Sequence, residues 1–246
     1  MIALALVMFT GAQVSAAEVK ISGQPLSFEA PDGYCILQKN NPFENLAINV
    51  TRKLIGPAEI AVWFFYDCAE KDRLLKGEIS GVSHTGAVIV TKRKAFVDAA
   101  AQMTRAEYIA ALSHAHPWQA MAKAEDQRLK NLGLRVKTSK VKEIGKDEFA
   151  VYVAGTQSMY VGRRWVTFVS VSAETVINRL PVTIGLSWED GGEGSLKPLL
   201  QEVRALARDT IARNEGGWIE EPPAKDERRA GSVASKPAVF LQDSSQ

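Results

Sequence analysis

WVTFVSVSAETVINRLPVTIGLSW, residues 165–188, decides the fold. Trp165, Thr167, Val169 and Val171 alternate with Val166, Phe168, Ser170 and Ser172. Past Asn178-Arg179, Val182, Ile184, Leu186 and Trp188 alternate with Thr183, Gly185 and Ser187. Successive side chains of a strand point to opposite faces, so period two with one mainly apolar face predicts two strands lying over a core. One-sided apolar alternation is the mark of an antiparallel sheet, because parallel strands are buried on both faces. Phe149, Val151 and Val153, alternating with Ala150, Tyr152 and Ala154, extend the pattern upstream. Lys146-Asp147, Gly162-Arg163 and Asn178-Arg179 mark the turns.

A helix is expected to cover the apolar face. From Ser195 to about Asn214 the residues Leu196, Leu199, Leu200, Val203, Leu206 and Ile211 fall on one stripe at helical spacing. Toward the N-terminus the signals alternate between strand and helix. Short strands are expected at Leu26–Glu29 and at Cys35. Asn41-Pro42 opens a helix carrying Phe43, Leu46, Ile48, Val50 and Leu54, ended by Gly56-Pro57. The apolar run 58–66 reads as a buried central strand, which puts Cys68, like Cys35, at a strand end. A short polar helix (69–77) and a strand (87–90) follow. Thr104 and Glu107 form a capping box opening a helix to about Ala115, and Pro117 starts another that Gly133 ends. The fold class expected is therefore α+β: one domain, 18–218, built on an antiparallel β-sheet covered by helices.

The chain ends carry different signals. Residues 1–17 combine an apolar run with small residues at Val14, Ser15, Ala16 and Ala17, the pattern of a secretory signal peptide with a mature start at Ala17 or Glu18. The run is short of the roughly 20 residues that span hydrocarbon, so no stable membrane span is expected. Residues 219–246 are rich in Pro, Ser, Ala and charge and read as a disordered tail. The expected location is periplasmic or secreted.

Export bears on the two cysteines of the chain, Cys35 and Cys68. In an oxidising compartment two thiols are expected to pair. Two separate buried thiols and a reactive cysteine are the other readings. No histidine flanks either cysteine, and a nucleophilic thiolate needs such a partner. A bridge of this span would restrict the unfolded chain by about 4 kcal/mol in the loop-entropy account.

With 46% hydrophobic and 24% charged residues the composition is globular, and 30 basic against 28 acidic residues leave a net charge of +2. The basic clusters, such as Lys92-Arg93-Lys94 and Arg163-Arg164, are scattered, which makes a mixed surface and excludes a nucleic-acid footprint.

The order of elements, with the hairpin-like FEAPDGYCIL (28–37), a helix, a strand, then antiparallel strands through VTFVSVSAETVINRLPVTIGLSW (166–188) and a closing helix, resembles the PsbP-like family. It is also similar to exported proteobacterial proteins with Gly-Tyr-Cys near the mature start. The resemblance covers roughly residues 25–214. It implies an α-β-α sandwich on an antiparallel sheet and an accessory or binding role, and it carries over no catalytic residues.

Motifs of chemistry are sparse. His114-Ala-His116-Pro-Trp118 together with His84 is the sharpest: two histidines at a Pro-imposed break and a third brought in by the fold would approach a zinc site. The alternative is ordinary polar residues at a helix corner. Gly81-Val82-Ser83-His84-Thr85 approaches a hydrolase elbow but has Thr in place of the second glycine, and a strand follows where a helix is needed. Gly191-Gly192-Glu193-Gly194-Ser195 precedes a helix but lacks the Gly-Lys-Ser/Thr of a phosphate loop. The sequence thus points to an exported, non-enzymatic binding or accessory protein without cofactor, its partner a protein of the cell envelope. The alternative is a metal-dependent hydrolase built on His84, His114 and His116. Among Trp118, Trp165, Trp188 and Trp218, any tryptophan left exposed would suit an interface.

Overall fold

A hairpin, β1 (Ala17–Ile21) and β2 (Gln24–Phe28), opens the computed structural model, which describes residues 17–115, 118–161, 163–189 and 196–215. Ser22 and Gly23 both take positive φ at its turn, as two-residue hairpin turns require. The expected signal peptide, apart from Ala17, and the expected tail with Trp218 lie outside the described residues, as do His116 and the Gly191–Ser195 loop.

Next come β3 (Tyr34–Ile36), α1 (Pro42–Ile55), β4 (Glu59–Asp67), α2 (Cys68–Leu75) and β5 (His84–Thr91). Asn41 caps α1 by accepting from the amides of Phe43 and Glu44, and Asp67 caps α2 through the amide of Glu70. Then follow α3 (Lys94–Gln102), α4 (Arg105–Ala115) and α5 (Trp118–Asn131). The capping box forms as expected: the Thr104 amide donates to Glu107 Oε2 (2.9 Å) and the Glu107 amide to Thr104 Oγ1 (3.2 Å). The chain ends with β6 (Lys140–Lys146), β7 (Val151–Val161), β8 (Arg164–Ile177), β9 (Leu180–Glu189) and α6 (Leu196–Asn214).

Seven strands make one sheet in the order β3-β4-β5-β9-β8-β7-β6, every neighbouring pair antiparallel. The turn at Asn178-Arg179 has positive φ at both residues, the twist that fits a tight hairpin. The expected α+β class, an antiparallel sheet covered by helices, is the fold found.

Three local expectations are corrected. FEAPDGYCIL is not a hairpin, since β2 pairs with β1 in a separate two-stranded sheet while β3 joins the large one. Cys68 is the first residue of α2, not the end of a strand. The strand at 58–66 lies next to the edge because only three-residue β3 flanks it. Three elements were not anticipated: β1, α3 and β6.

The two faces of the sheet are covered by different elements. On one face, α6 and the β1–β2 hairpin close a core that includes Phe28, Phe65, Val88, Tyr152, Val171 and Ile184. Asn214 at the end of α6 fixes the hairpin with two hydrogen bonds, accepting from the Ser27 amide and donating to its carbonyl, both 2.7 Å. On the other face, α3, α4 and the start of α5 pack on Val151, Val153 and Val176, while α1 packs separately on Ala61 and Phe64. Because alternate residues point to opposite faces, Tyr152 between Val151 and Val153 belongs to the first core.

Candidate functional site

The second face is covered at its two sides but not in its middle. Along β5, β9 and β8 the residues aimed at α6 are buried: Val88, Ile184 and Val171 have no exposed surface. Their neighbours on the opposite face, Ala87, Ile89, Thr183, Gly185, Ser170 and Ser172, all keep part of theirs. With α1 standing over β4 and the α4–α5 pair over β7 and β8, a trough is left above the central strands. It forms two adjoining lobes of about 530 and 330 Å³ that share Ile55, Ile89, Ser172 and Thr183. That is the volume range of small-molecule sites.

The larger lobe is amphipathic. Its wall of Phe96 (α3), Tyr108 (α4), Trp118 and Met121 (α5) faces a floor that carries Ser172, Glu174 and Thr183. Trp118 is 7% exposed, and its indole N–H has no acceptor among the described residues. At the rim, Arg128 of α5 pairs with Glu125 and donates to the Lys53 carbonyl in the last turn of α1 (2.9 Å). This contact joins the two helical walls.

Glu174 is the electrostatic centre of the lobe. Protein surrounds it, yet the residue keeps some accessible surface and borders the cavity. Oε1 accepts from Ser172 Oγ at 2.9 Å and Oε2 from Thr183 Oγ1 at 2.6 Å. No cation among the described residues pairs with it. Burial pushes its carboxyl up to about 7, the two hydroxyl donors pull it back in part, and the charge of Glu59 adds to the rise. Glu59 is itself raised by burial, an effect that Arg93 opposes from 3.1 Å. Burial also raises the Tyr108 phenol, with Glu174 and Glu59 adding to it through their charge. The site can therefore bind and hold a proton, and none of the described residues that line it pairs a nucleophile with a base. The hydroxyls of Ser172 and Thr183 are engaged with Glu174, not with a histidine.

The residues singled out from sequence lie elsewhere. Cys35 and Cys68 are linked, with Cα atoms 5.1 Å apart; the bridge joins edge strand β3 to the start of α2. His84 opens β5, its Nδ1 2.9 Å from Glu70 Oε1 and its ring edge-on to Trp188. Burial would raise the Glu70 carboxyl, but hydrogen bonds from His84 and Ser83 outweigh it and hold the group below its ordinary range. His114 is exposed on α4, next to Ser113, which donates to Glu143 of β6. His84 thus stands on β5, whereas α4, which carries His114, packs over β7 and β8. The fold does not bring them together, and no group of three or more His, Cys, Asp or Glu suited to a metal occurs among the described residues. Ser83 precedes a strand, so the elbow geometry is absent there.

Of the tryptophans, Trp165 is the exposed one among those described, at 40%. It sits with Tyr160 near the outer end of the β7–β8 hairpin, 5.6 Å between ring centroids. The Arg135 guanidinium lies 4.2 Å over Tyr160 and Lys137 Nζ 4.8 Å over Trp165.

Sequence reasoning missed Glu174, Tyr108 and the trough. One signal was present: Ser170, Ser172, Thr183 and Gly185 put a cluster of small residues on one face of two central strands. Such a face gives a helix little to pack on. No family model and no curated protein matches the chain.

Proposed function

We propose that this chain is a non-enzymatic binding protein of the cell envelope, periplasmic or secreted, which holds a small molecule in the trough between the sheet and its helices. The trough carries the proposal: a cavity of ligand size with an apolar wall, a polar floor and one buried carboxyl. The disulfide supports an oxidising compartment. The resemblance to PsbP-like proteins, whose known members are accessory or binding proteins, points the same way. No helix among the described residues is long and apolar enough to cross a membrane.

The test fills the floor. Gly185 borders the second lobe, and a Cβ there meets nothing closer than 3.6 Å. Gly185→Leu should keep the far-UV spectrum and lose saturable binding of an environment-sensitive apolar dye that wild type takes up at one per chain. Equal binding by the filled variant would place the dye elsewhere and defeat the reading.

The exposed pair Tyr160 and Trp165, with its flanking cations, favours a second role, docking on a protein of the cell envelope. Capture from the envelope by wild type and by a Tyr160→Ser/Trp165→Ser variant distinguishes the outcomes. A partner lost with the variant supports docking, and an identical capture profile removes it.

A further inference from the structure

A buried carboxyl is normally met by a cation or a set of hydrogen bonds that satisfies its charge. The other carboxylates of the larger lobe are met in this way. Glu59 has Arg93, and Glu125 has Arg128. Glu174 has two neutral hydroxyls and a like charge nearby in Glu59. It also shares the lobe with the rings of Phe96, Tyr108 and Trp118, and aromatic faces attract cations as well as apolar groups. We propose that the trough takes a cationic amine with an apolar body, its ammonium group paired with Glu174 and its body against the aromatic wall. The inference rests on the reading of the trough as a ligand site and names the class of ligand.

The chemistry discriminates among head groups. A carboxylate ligand would meet Glu174 at close range and be repelled, since Arg93 is already paired with Glu59 and Arg128 with Glu125. A neutral alcohol would leave Glu174 without a counter-charge. An ammonium supplies a counter-charge that none of the described residues gives Glu174, and beside a largely enclosed carboxyl that attraction is screened less than at an open surface. Ammonium binding also favours the ionised carboxylate, so amine affinity is tied to the proton that burial places on Glu174 near neutral pH. The other titratable or charged groups lining the lobe are Glu59 and Arg93, Tyr108 of α4, and the Glu125–Arg128 pair of α5. Strands β5, β8 and β9 contribute the uncharged Thr91, Ser172 and Thr183 besides Glu174 itself.

Naphthylmethylamine, naphthylmethanol and naphthoate share one apolar body and differ in the head, which makes them suitable probes of the purified full chain. The amine should bind about tenfold or more tighter than the alcohol, the ratio typical of a charge-assisted hydrogen bond, and naphthoate weakest. Amine affinity should rise between about pH 6 and pH 8, as Glu174 loses its proton, while that of the alcohol stays flat. Glu174→Gln keeps the shape of the side chain and removes the charge. It should lower amine affinity about tenfold or more and leave the alcohol within about twofold. Should Glu174→Gln fail to fold, the head-group series and the pH profile on wild type decide. If the alcohol or naphthoate binds as tightly as the amine, the amine inference is overturned and the trough still stands as a site. If none of the three binds, both readings fail.

Discussion

The two faces of one sheet have been built for different ends, and two glycines in neighbouring strands show how. Gly86 on β5 points toward α6, where a Cβ would lie 2.1 Å from a Phe65 ring carbon and 2.8 Å from a Leu186 methyl. Gly185 on β9 points the other way, and its Cβ would touch only Ser172 and the Val171 carbonyl at 3.6 Å. One glycine is required by a packed core. The other is part of an open floor. The same period-two alternation produced both faces, so the difference lies in the size of the side chains and in which helices cover them. Large β-branched and aromatic residues interlock with α6; small polar ones leave room under α1 and α3–α5.

If the α6 face carries the stability, truncation there has the largest effect. Leu199→Ala removes a side chain with no exposed surface from the centre of the core. It should destabilise by about 2–5 kcal/mol, read by denaturant unfolding with the slope unchanged. A loss under about 1 kcal/mol would mean that α6 is not what holds the sheet.

The trough face should reveal itself through pH. Glu174 is raised from an ordinary 4.5 to about 7, chiefly by burial. A folded state that holds its proton more tightly than the unfolded chain is favoured at low pH. This contribution is therefore fully present below about pH 4.5 and is lost as pH rises through about 7, amounting to no more than on the order of 3 kcal/mol. Thermal unfolding of wild type and Glu174→Gln across that window measures it: the variant should gain on wild type with rising pH. A constant difference would mean that Glu174 is solvated in the fold.

Gly86→Ala then tests the packed face from the side of excess volume. The backbone cannot yield without moving Phe65 or Leu186, so a destabilisation of about 1–3 kcal/mol is expected by thermal or chemical unfolding. A neutral result would mean that the core under α6 is loose at that end.

How much of this contrast was legible in the sequence follows from the same physics. Strands β7, β8 and β9 and helix α6 were legible because strict alternation and a single apolar stripe are long signals. The Cys35–Cys68 bridge was legible from the count of cysteines and the export pattern. Helix α3 was not, since Arg93 at its N-cap makes no side-chain capping bond and neither Gly nor Pro closes it. Strand β6 was hidden because KVKEIGK is largely polar and carries a bulge between Glu143 and Gly145. Strand β1 is hidden because AEVKI adjoins the expected signal peptide and coincides with the expected mature start. The trough was invisible for a further reason: Ser170, Ser172, Glu174 and Thr183 form the polar half of an alternating pattern, which ordinarily faces water. Only the placement of α1 and α3–α5 turns that solvent face into an interior one. His84 and His114 are conspicuous as residue types, but one opens β5 and the other lies exposed on α4, and no metal-binding group forms among the described residues.

The smallest expected effect is the one that bears most directly on the floor. Gly185→Ala should change stability by less than about 0.5 kcal/mol, since the added methyl finds ordinary contact distances and the backbone there is not left-handed. It can even stabilise, because alanine narrows the conformations of the unfolded chain. The methyl would nevertheless stand above the floor beside Ser172, a residue shared by both lobes. An apolar probe seated in the second lobe should lose affinity without a loss of fold, whereas Gly86→Ala should lose fold first. Unfolding and probe titration on the two variants give four values that must come out crossed. If Gly185→Ala destabilises as much as Gly86→Ala, the trough is closed in solution and the contrast between the two faces collapses.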